Sequence, residues 1–203
     1  MRGVPAATSH EVRKATAADV PALGQVLARA FLDDPVAQWS CPSDRRRPRM
    51  NERFFSVRVR QLMNQEQIYT TPDISGAALW ALPDRWRTSP RELLGLTPLI
   101  PAWGRRLPRV IRGLLRVEEA HPETPPHFHL AALGTEPARQ GEGIGSALLA
   151  PVLELCDRDH MPAYLESSKE SNIAFYSRHG FRVTGEIPLP KGPPVWPMWR
   201  TPR

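Results

Sequence analysis

A chain of 203 residues, 41% hydrophobic and 24% charged, is long and apolar enough for one folded domain, which excludes a disordered or low-complexity protein. Its net charge of +6 favours a polyanionic partner but does not separate nucleic acid from a phosphorylated small molecule. Two cysteines, Cys41 and Cys156, are too few for a disulfide framework and lack metal-ligand spacing, so two reduced thiols and no metal are expected.

In chain order, residues 1–10 read as a flexible tail without the apolar region of a signal peptide, and 11–203 as a single domain. No stretch is long and apolar enough to span a bilayer, so the expected location is cytoplasmic, with no membrane partner. Glu11 to Ala15 can form a short strand. Thr16 and Asp19 have capping-box spacing, and Val20, Leu23, Val26, Leu27, Ala30 and Phe31 recur with helical period, predicting a helix over 18–31. Asp33-Asp34-Pro35 ends it. Arg45 to Gln65 reads as a second helix, with Phe55, Val59, Leu62 and Met63 on one side and seven arginines from Arg45 to Arg60 elsewhere. No aromatic residues interleave in the manner of single-strand binders, so the basic side reads as a solvated face and no nucleic-acid partner is expected.

Gln67–Thr70 and Gly76–Leu82 read as a hairpin around Pro72-Asp73-Ile74-Ser75. Ser89-Pro90-Arg91-Glu92 has the form of a helix start, and Gly104 breaks that helix. Leu107, Val110, Ile111, Leu114 and Leu115 form a helical stripe, expected to pack in the core. A strand at His127–Thr135 contains Gly134, which marks a bulge or a close backbone approach. A helix follows from Gly143 to Arg158, with Pro151 inside it freeing the carbonyl of Ala147. Ala163–Glu166 reads as a strand and Ser171–His179 as a short helix closed by Gly180 and Phe181. Phe181–Ile187 and Val195–Arg200 are the last strands. The order β-α-α-β-β-α-α-β-α-β-α-β-β specifies an α/β (α+β) fold, a mixed sheet with helices on its faces.

Between the strand at 127–135 and the following helix lies Gln140-Gly-Glu-Gly-Ile-Gly-Ser146. Alternate glycines remove the Cβ atoms that keep a ligand from the backbone, and the first N–H groups of a helix have no intrahelical partner, so this joint can cradle phosphate. It is not a P-loop, because Gly145-Ser146 has no lysine, and it is not a Rossmann fingerprint, because the glycines alternate. Asn172 and Tyr176, four apart, share a helical face and could point into the same cleft; taken singly, Asn172 could be a cap and Tyr176 a core aromatic. His127 and His129 share one strand face and could relay a proton, and Asp33 and Asp34 could attract a cation or simply form a turn.

These motifs resemble the GNAT superfamily of acetyl-coenzyme-A-dependent N-acetyltransferases. Gln140-Gly-Glu-Gly-Ile-Gly145 is similar to that family's [Gln/Arg]-x-x-Gly-x-[Gly/Ala] segment, and Asn172-Ile-Ala-Phe-Tyr176 through Gly180-Phe181 to its Asn…Tyr…Gly-Phe segment. Within the family the nearest likeness is to the puromycin N-acetyltransferase kind, carried by Leu133-Gly-Thr-Glu-Pro137, Pro151, Pro162-Ala-Tyr-Leu-Glu-Ser167 and Trp196…Met198…Arg200. The resemblance implies a mostly antiparallel sheet of about seven strands and an acyltransferase using acetyl-CoA and a small-molecule amine, as a monomer or homodimer. It implies that Leu133, Gly134, Thr135, Gln140, Gly141, Glu142, Gly143, Ile144, Gly145, Ser146, Asn172 and Tyr176 hold the coenzyme. Tyr176 would act as general acid, His129 would be a candidate proton relay, and a catalytically silent acyl-CoA sensor is the alternative.

Overall fold

The computed structural model describes residues 10–87, 89 and 94–203. The expected tail lies outside those residues except for His10, as does the expected helix start at 89–92 except for Ser89.

Strand β1 (Arg13–Lys14) leads into a tight helical turn. Asp19 accepts hydrogen bonds from Thr16 N at 2.8 Å and Thr16 Oγ1 at 2.9 Å, and binds the Arg13 guanidinium at 2.7 and 2.9 Å. That start fixes the phase of α1 (Val20–Ala30), which buries Val20, Leu23, Val26 and Leu27. The Asp-Pro pair that ends α1 also begins a helix the periodicity does not reveal, α2 (Pro35–Ser40). Asp34 is its N-cap, with Oδ1 accepting from Val36 N at 2.9 Å and Ala37 N at 3.0 Å. Six residues are too few to show a helical period. In α3 (Arg47–Met63), Phe55, Val59 and Leu62 face inward. Arg45, Arg46, Arg49, Arg53 and Arg60 are exposed, as a solvated face requires. Arg47 departs from this: it is buried and donates to the carbonyls of Leu32 at 3.0 Å and Cys41 at 3.2 Å.

Strands β2 (Ile68–Thr70) and β3 (Gly76–Ala81) form the expected hairpin, and β3 is buried throughout. Helix α4 (Ile100–Trp103) stops at Gly104, whose φ of +50° favours glycine. Helix α5 (Leu107–Ala120) forms where its stripe predicts, but core packing of that stripe does not hold. Only Val110 and Gly113 are buried, while Ile111, Leu114 and Leu115 remain 44–49% exposed.

The second half contains β4 (Phe128–Thr135), α6 (Ile144–Arg158), β5 (Ala163–Ser167), α7 (Ile173–Arg178), β6 (Arg182–Val183), β7 (Ile187–Pro188) and β8 (Pro194–Arg200). Helix α6 continues through Pro151. Gly180, at φ +92°, closes α7 with the paired bonds Phe181 N to Tyr176 O (3.2 Å) and Gly180 N to Ser177 O (3.0 Å). The single strand expected over 181–187 is instead β6 and β7, both paired with β8. Thr184 N still bonds Pro197 O at 2.9 Å, but Pro197 has no N–H to return, and the ladder breaks there.

Among the described residues the sheet has eight strands, ordered β1-β2-β3-β4-β5-β8-β6, with β7 also on β8. Only β4 and β5 are parallel. Helices α1 and α3 cover one face, over Ile68, Ala77, Leu79 and Ala132. Helices α6 and α7 cover the other, with Ile144, Leu148, Val152 and Tyr176 packed on Ala78, Leu130 and Leu165. Each fully buried Leu or Val of these layers contributes about 1.5–3 kcal/mol. A third cluster joins α2, α5 and the β7–β8 loop around Trp39 and Trp103.

Candidate active site

The site begins where two strands part. Strand β4 pairs with β5 only at Phe128–Ala163, His129–Tyr164 and Leu130–Leu165. Past Leu130 the β5 side of β4 has no strand partner among the described residues. On its other side β4 stays on β3, with one irregularity: Trp80 faces Leu130 and Leu79 faces Ala132, so Ala131 is the extra residue. The bulge therefore lies at Ala131 and not at Gly134. Gly134 is the close approach, since a Cβ there would come within 2.9 Å of Ala30 and Leu27 on α1.

A cavity of about 360 Å³ opens at this gap. Its floor is the joint between β4 and α6. Gly141 and Gly143 have φ of +88° and +91°, which L-residues rarely adopt, and open space lies beyond the position of any Cβ. The first helical bond of α6 is Ala147 N to Gly143 O at 3.1 Å. The N–H groups of Ile144, Gly145 and Ser146 precede it and have no intrahelical acceptor, and the dipole of a 15-residue helix adds positive potential. This cradle suits a phosphate group, and Lys169 and Arg178 on the opposite wall add positive charge.

The loop is braced from behind. Arg139 bonds Glu142 Oε2 at 3.0 Å and also pairs with Asp73 in the β2–β3 turn. Hydrogen bonds from Thr71 and Ser75, with Arg139 adding to them, hold the Asp73 carboxyl at about 2 despite some desolvation. Arg29 grips Glu136 at 2.8 Å, and Glu136 N bonds Ser75 O at 2.8 Å.

The far wall is α7. Asn172 stands at its N-terminus without a side-chain cap bond, so its amide is free to face the cavity, as Tyr176 does one turn later. Burial, with the nearby Asp34 charge, pushes the Tyr176 phenol above its ordinary value, so it is protonated at neutral pH. Every expected cofactor-side residue lines this cavity except Glu142, whose carboxylate turns away to Arg139. The two aspartates of the α1–α2 turn are already engaged. Asp33 pairs with Lys169 at 2.7 Å, and Asp34 caps α2 and accepts from Ser168.

His129 does not line the cavity. It stands on the α1 face of the sheet in a buried polar cluster, where its Nε2 lies 2.8 Å from Glu166 Oε2. His121, directly after α5, places Nδ1 at 3.2 Å from Glu166 Oε1 and Nε2 at 2.9 Å from His127 Nε2. His127 Nδ1 bonds the Pro125 carbonyl at 2.8 Å. Trp86 stacks on His121 with ring centroids 3.5 Å apart. Burial would raise the Glu166 pKa, but His129, by its charge and its hydrogen bond, outweighs it and holds the carboxyl below its ordinary value. Burial depresses both His121 and His127. Sequence reasoning missed Glu166, His121, Lys169 and Arg178. Strand alternation over 163–167 was a signal for Glu166, which takes the opposite face from Leu165; His121 carried none.

The cavity thus joins a gap between parallel strands, an anion cradle at a helix start and a protonated phenol on the far wall. A family model for the GNAT acetyltransferase domain matches residues 109–183. An uncharacterized N-acetyltransferase of Schizosaccharomyces pombe is 26% identical over 182 residues, covering 83% of this chain and 73% of that protein. A Corynebacterium glutamicum structure described as "histone acetyltransferase HPA2 and related acetyltransferase" is 27% identical with a TM-score of 0.69, over 97% of this chain and 98% of that one. Arylalkylamine N-acetyltransferase 2 of Aedes aegypti shares the fold at 12% identity and a TM-score of 0.66, over 95% and 99% of the two chains. The chain is an acyltransferase with the GNAT fold, and its residues 109–183 are similar to the GNAT acetyltransferase domain.

Proposed function

We propose that this protein moves an acetyl group directly from coenzyme A to a primary amine of a small molecule. The observation that carries the reading is the continuity of one cavity from the glycine cradle to Tyr176. In this reading the N–H groups of 140–146 bind the pyrophosphate. The backbone of Leu133 to Thr135, unpaired toward β5, satisfies the amides of the pantetheine arm as an added strand would. Bound acetyl-CoA supplies an activated acetyl thioester.

Asn172 orients the arm, and a backbone N–H near Leu133 stabilises the oxyanion. Tyr176 gives its proton to the departing sulfur and is restored by a proton from the nitrogen that has attacked. Its raised pKa means that the phenol carries its proton throughout the neutral range, ready for transfer. His129, on the other face, belongs to the route by which the ammonium first loses its charge. A silent sensor would need the same cradle, but it would have no use for a protonated phenol at the inner end. The likeness to puromycin-modifying enzymes supports a small-molecule acceptor without making puromycin the substrate.

The test is calorimetry with acetyl-CoA, followed by thiol release across aminonucleosides, polyamines, aminoglycosides and peptide amines. Binding with turnover on at least one small amine is expected. Failure to bind at millimolar acetyl-CoA would end the reading, and turnover confined to peptide amines would move the acceptor class.

A further inference from the structure

We propose that Glu166 and His121 together form the base that takes the proton from the acceptor ammonium, with His127 fixing the pair in its receptive form. The inference rests on the acetyl-transfer reading and deepens it.

The Pro125 carbonyl can only accept, so His127 Nδ1 carries a hydrogen and donates across 2.8 Å. In neutral His127 the Nε2 atom is then a lone pair. It faces His121 Nε2 at 2.9 Å, so His121 Nε2 must carry the hydrogen. Neutral His121 therefore presents the lone pair of Nδ1 to Glu166 Oε1, 3.2 Å away. The other carboxylate oxygen is occupied by His129 Nε2 at 2.8 Å. Two acceptors face each other with nothing between them, in a place where His121 is 5% exposed. One added proton turns that repulsion into a hydrogen bond. The cluster is thus built one proton short.

Its place in the fold gives the vacancy a use. Glu166 directly follows the last β4–β5 pair, at the mouth of the gap. Leu165 packs under α6 on the coenzyme face, so Glu166 projects to the other face. An amine attacking through the gap from the side opposite the coenzyme meets this carboxylate first. The Glu166 side chain keeps 13% exposure, against 2% for His121. The proton therefore enters at the carboxylate and comes to rest against His121 Nδ1.

The other groups around the pair do not take the acceptor's proton. On β5, burial pushes Tyr164 well up, with the Glu166 charge and a weak hydrogen-bonding interaction with Glu166 adding to it, so its phenol keeps the proton it already has. From the segment after β3, Trp86 stacks on His121, and Asp84 acts on His127 only as a distant charge. From β8, Trp199 lies edge-on to His127. Burial outweighs the Glu166 contribution at His121, which keeps its pKa below the ordinary histidine value and leaves the pair unloaded at neutral pH. The step balances. R–NH3+ gives one proton to the pair and becomes R–NH2, a C–N bond forms as C–S breaks, and the pair returns its proton to water.

A metal ion would answer the same two lone pairs, whose 3.2 Å separation is close to the roughly 3.3 Å between donors sharing one tetrahedral zinc. His129 Nε2 and Glu166 Oε2, at 2.8 Å, are instead at hydrogen-bond distance, so the experiment carries a metal arm.

The experiment compares wild type with Glu166→Gln, whose amide donates to His121 Nδ1 and fills the vacancy. Expected are an unchanged Kd for acetyl-CoA, a fall of about 100-fold in kcat/KM for the amine, and loss of its acidic limb. In parallel, imidazole 15N NMR of the wild-type protein should show His127 as the Nδ1–H form and His121 as the Nε2–H form. The His121 titration should move to lower pH in the variant. Normal acetyl-CoA binding with an unaltered pH limb in Glu166→Gln would overturn the assignment while leaving acetyl transfer intact. His121 found as the Nδ1–H form in wild type would overturn it even if the variant does not fold. Loss of turnover on chelation, restored by zinc, would replace the proton with a metal. A wild-type protein that binds no acetyl-CoA would remove the parent reading first.

Discussion

The two sides of the gap between β4 and β5 are built from different material. The proposed coenzyme side is backbone: a loop of glycines, a helix start and a strand edge unpaired toward β5, contiguous from Leu133 to Ser146. The proposed amine side is side chain: Glu166 from β5, His129 from β4 and His121 from beyond α5, joined by contacts across 37 and 45 positions. A site made of backbone is encoded in one run of residues, because turn conformation and N–H placement are local properties. A site made of side chains from separate elements is encoded only in the fold that assembles them.

The sharpest break of this comparison is Gly143→Val. A β-branched residue at φ +91° strains the loop and fills the cradle, so acetyl-CoA affinity should fall by about 100-fold or more, roughly 2.7 kcal/mol, in calorimetry. Affinity within threefold of wild type would show that the cradle is elsewhere. Tyr176→Phe should lower kcat by a factor of about 100 while leaving the acetyl-CoA Kd within about twofold; an unchanged kcat would remove its role as acid. Away from both sides, Arg200 ties the ends of α6 and α7 to β8, donating to His179 O at 2.9 Å and Asp157 Oδ2 at 2.6 Å. Arg200→Met should cost about 2 kcal/mol, since Asp157 is partly solvated, and lower Tm by roughly 4–8 °C. A shift under 1 °C would show that the clamp is idle.

The smallest expected effect is on acid stability. His121, His127 and Glu166 all have folded pKa values below their ordinary ones. The unfolded chain therefore binds more protons at acid pH, and their contribution is complete above the ordinary histidine value. It is lost first as the histidines charge, then as pH falls through the carboxylate range toward about 2. Glu166→Gln should flatten the lower part of a Tm–pH curve; an identical slope below pH 5 would count against the cluster.

Periodicity and caps were enough for α1, α3 and α6 and for the β2–β3 hairpin, because each depends on neighbours within a turn or two. They failed in three instructive places. Helix α2 is too short to have a period, and its start was hidden in the signal that stops α1. The stripe on α5 has the spacing of a core helix, yet spacing does not say what lies opposite, and most of it faces outward. His121 follows that helix and means nothing until β4 and β5 stand beside it. Of the site, the cradle and α7 were legible as motifs; the Glu166 cluster was legible only as an alternation of faces on one short strand.

The buried cysteines bear on how this enzyme can be measured. Cys41 and Cys156 are 1% and 0% exposed, and burial pushes the Cys156 thiol up to about 12. A disulfide reagent in the assay will find no ready thiolate at Cys156. On the acetyl-transfer reading, coloured product formed in the presence of an amine will then count coenzyme thiol turned over, and a slow protein-dependent background that grows with urea will report unfolding. The same reagent can thus follow catalysis and stability in one cuvette.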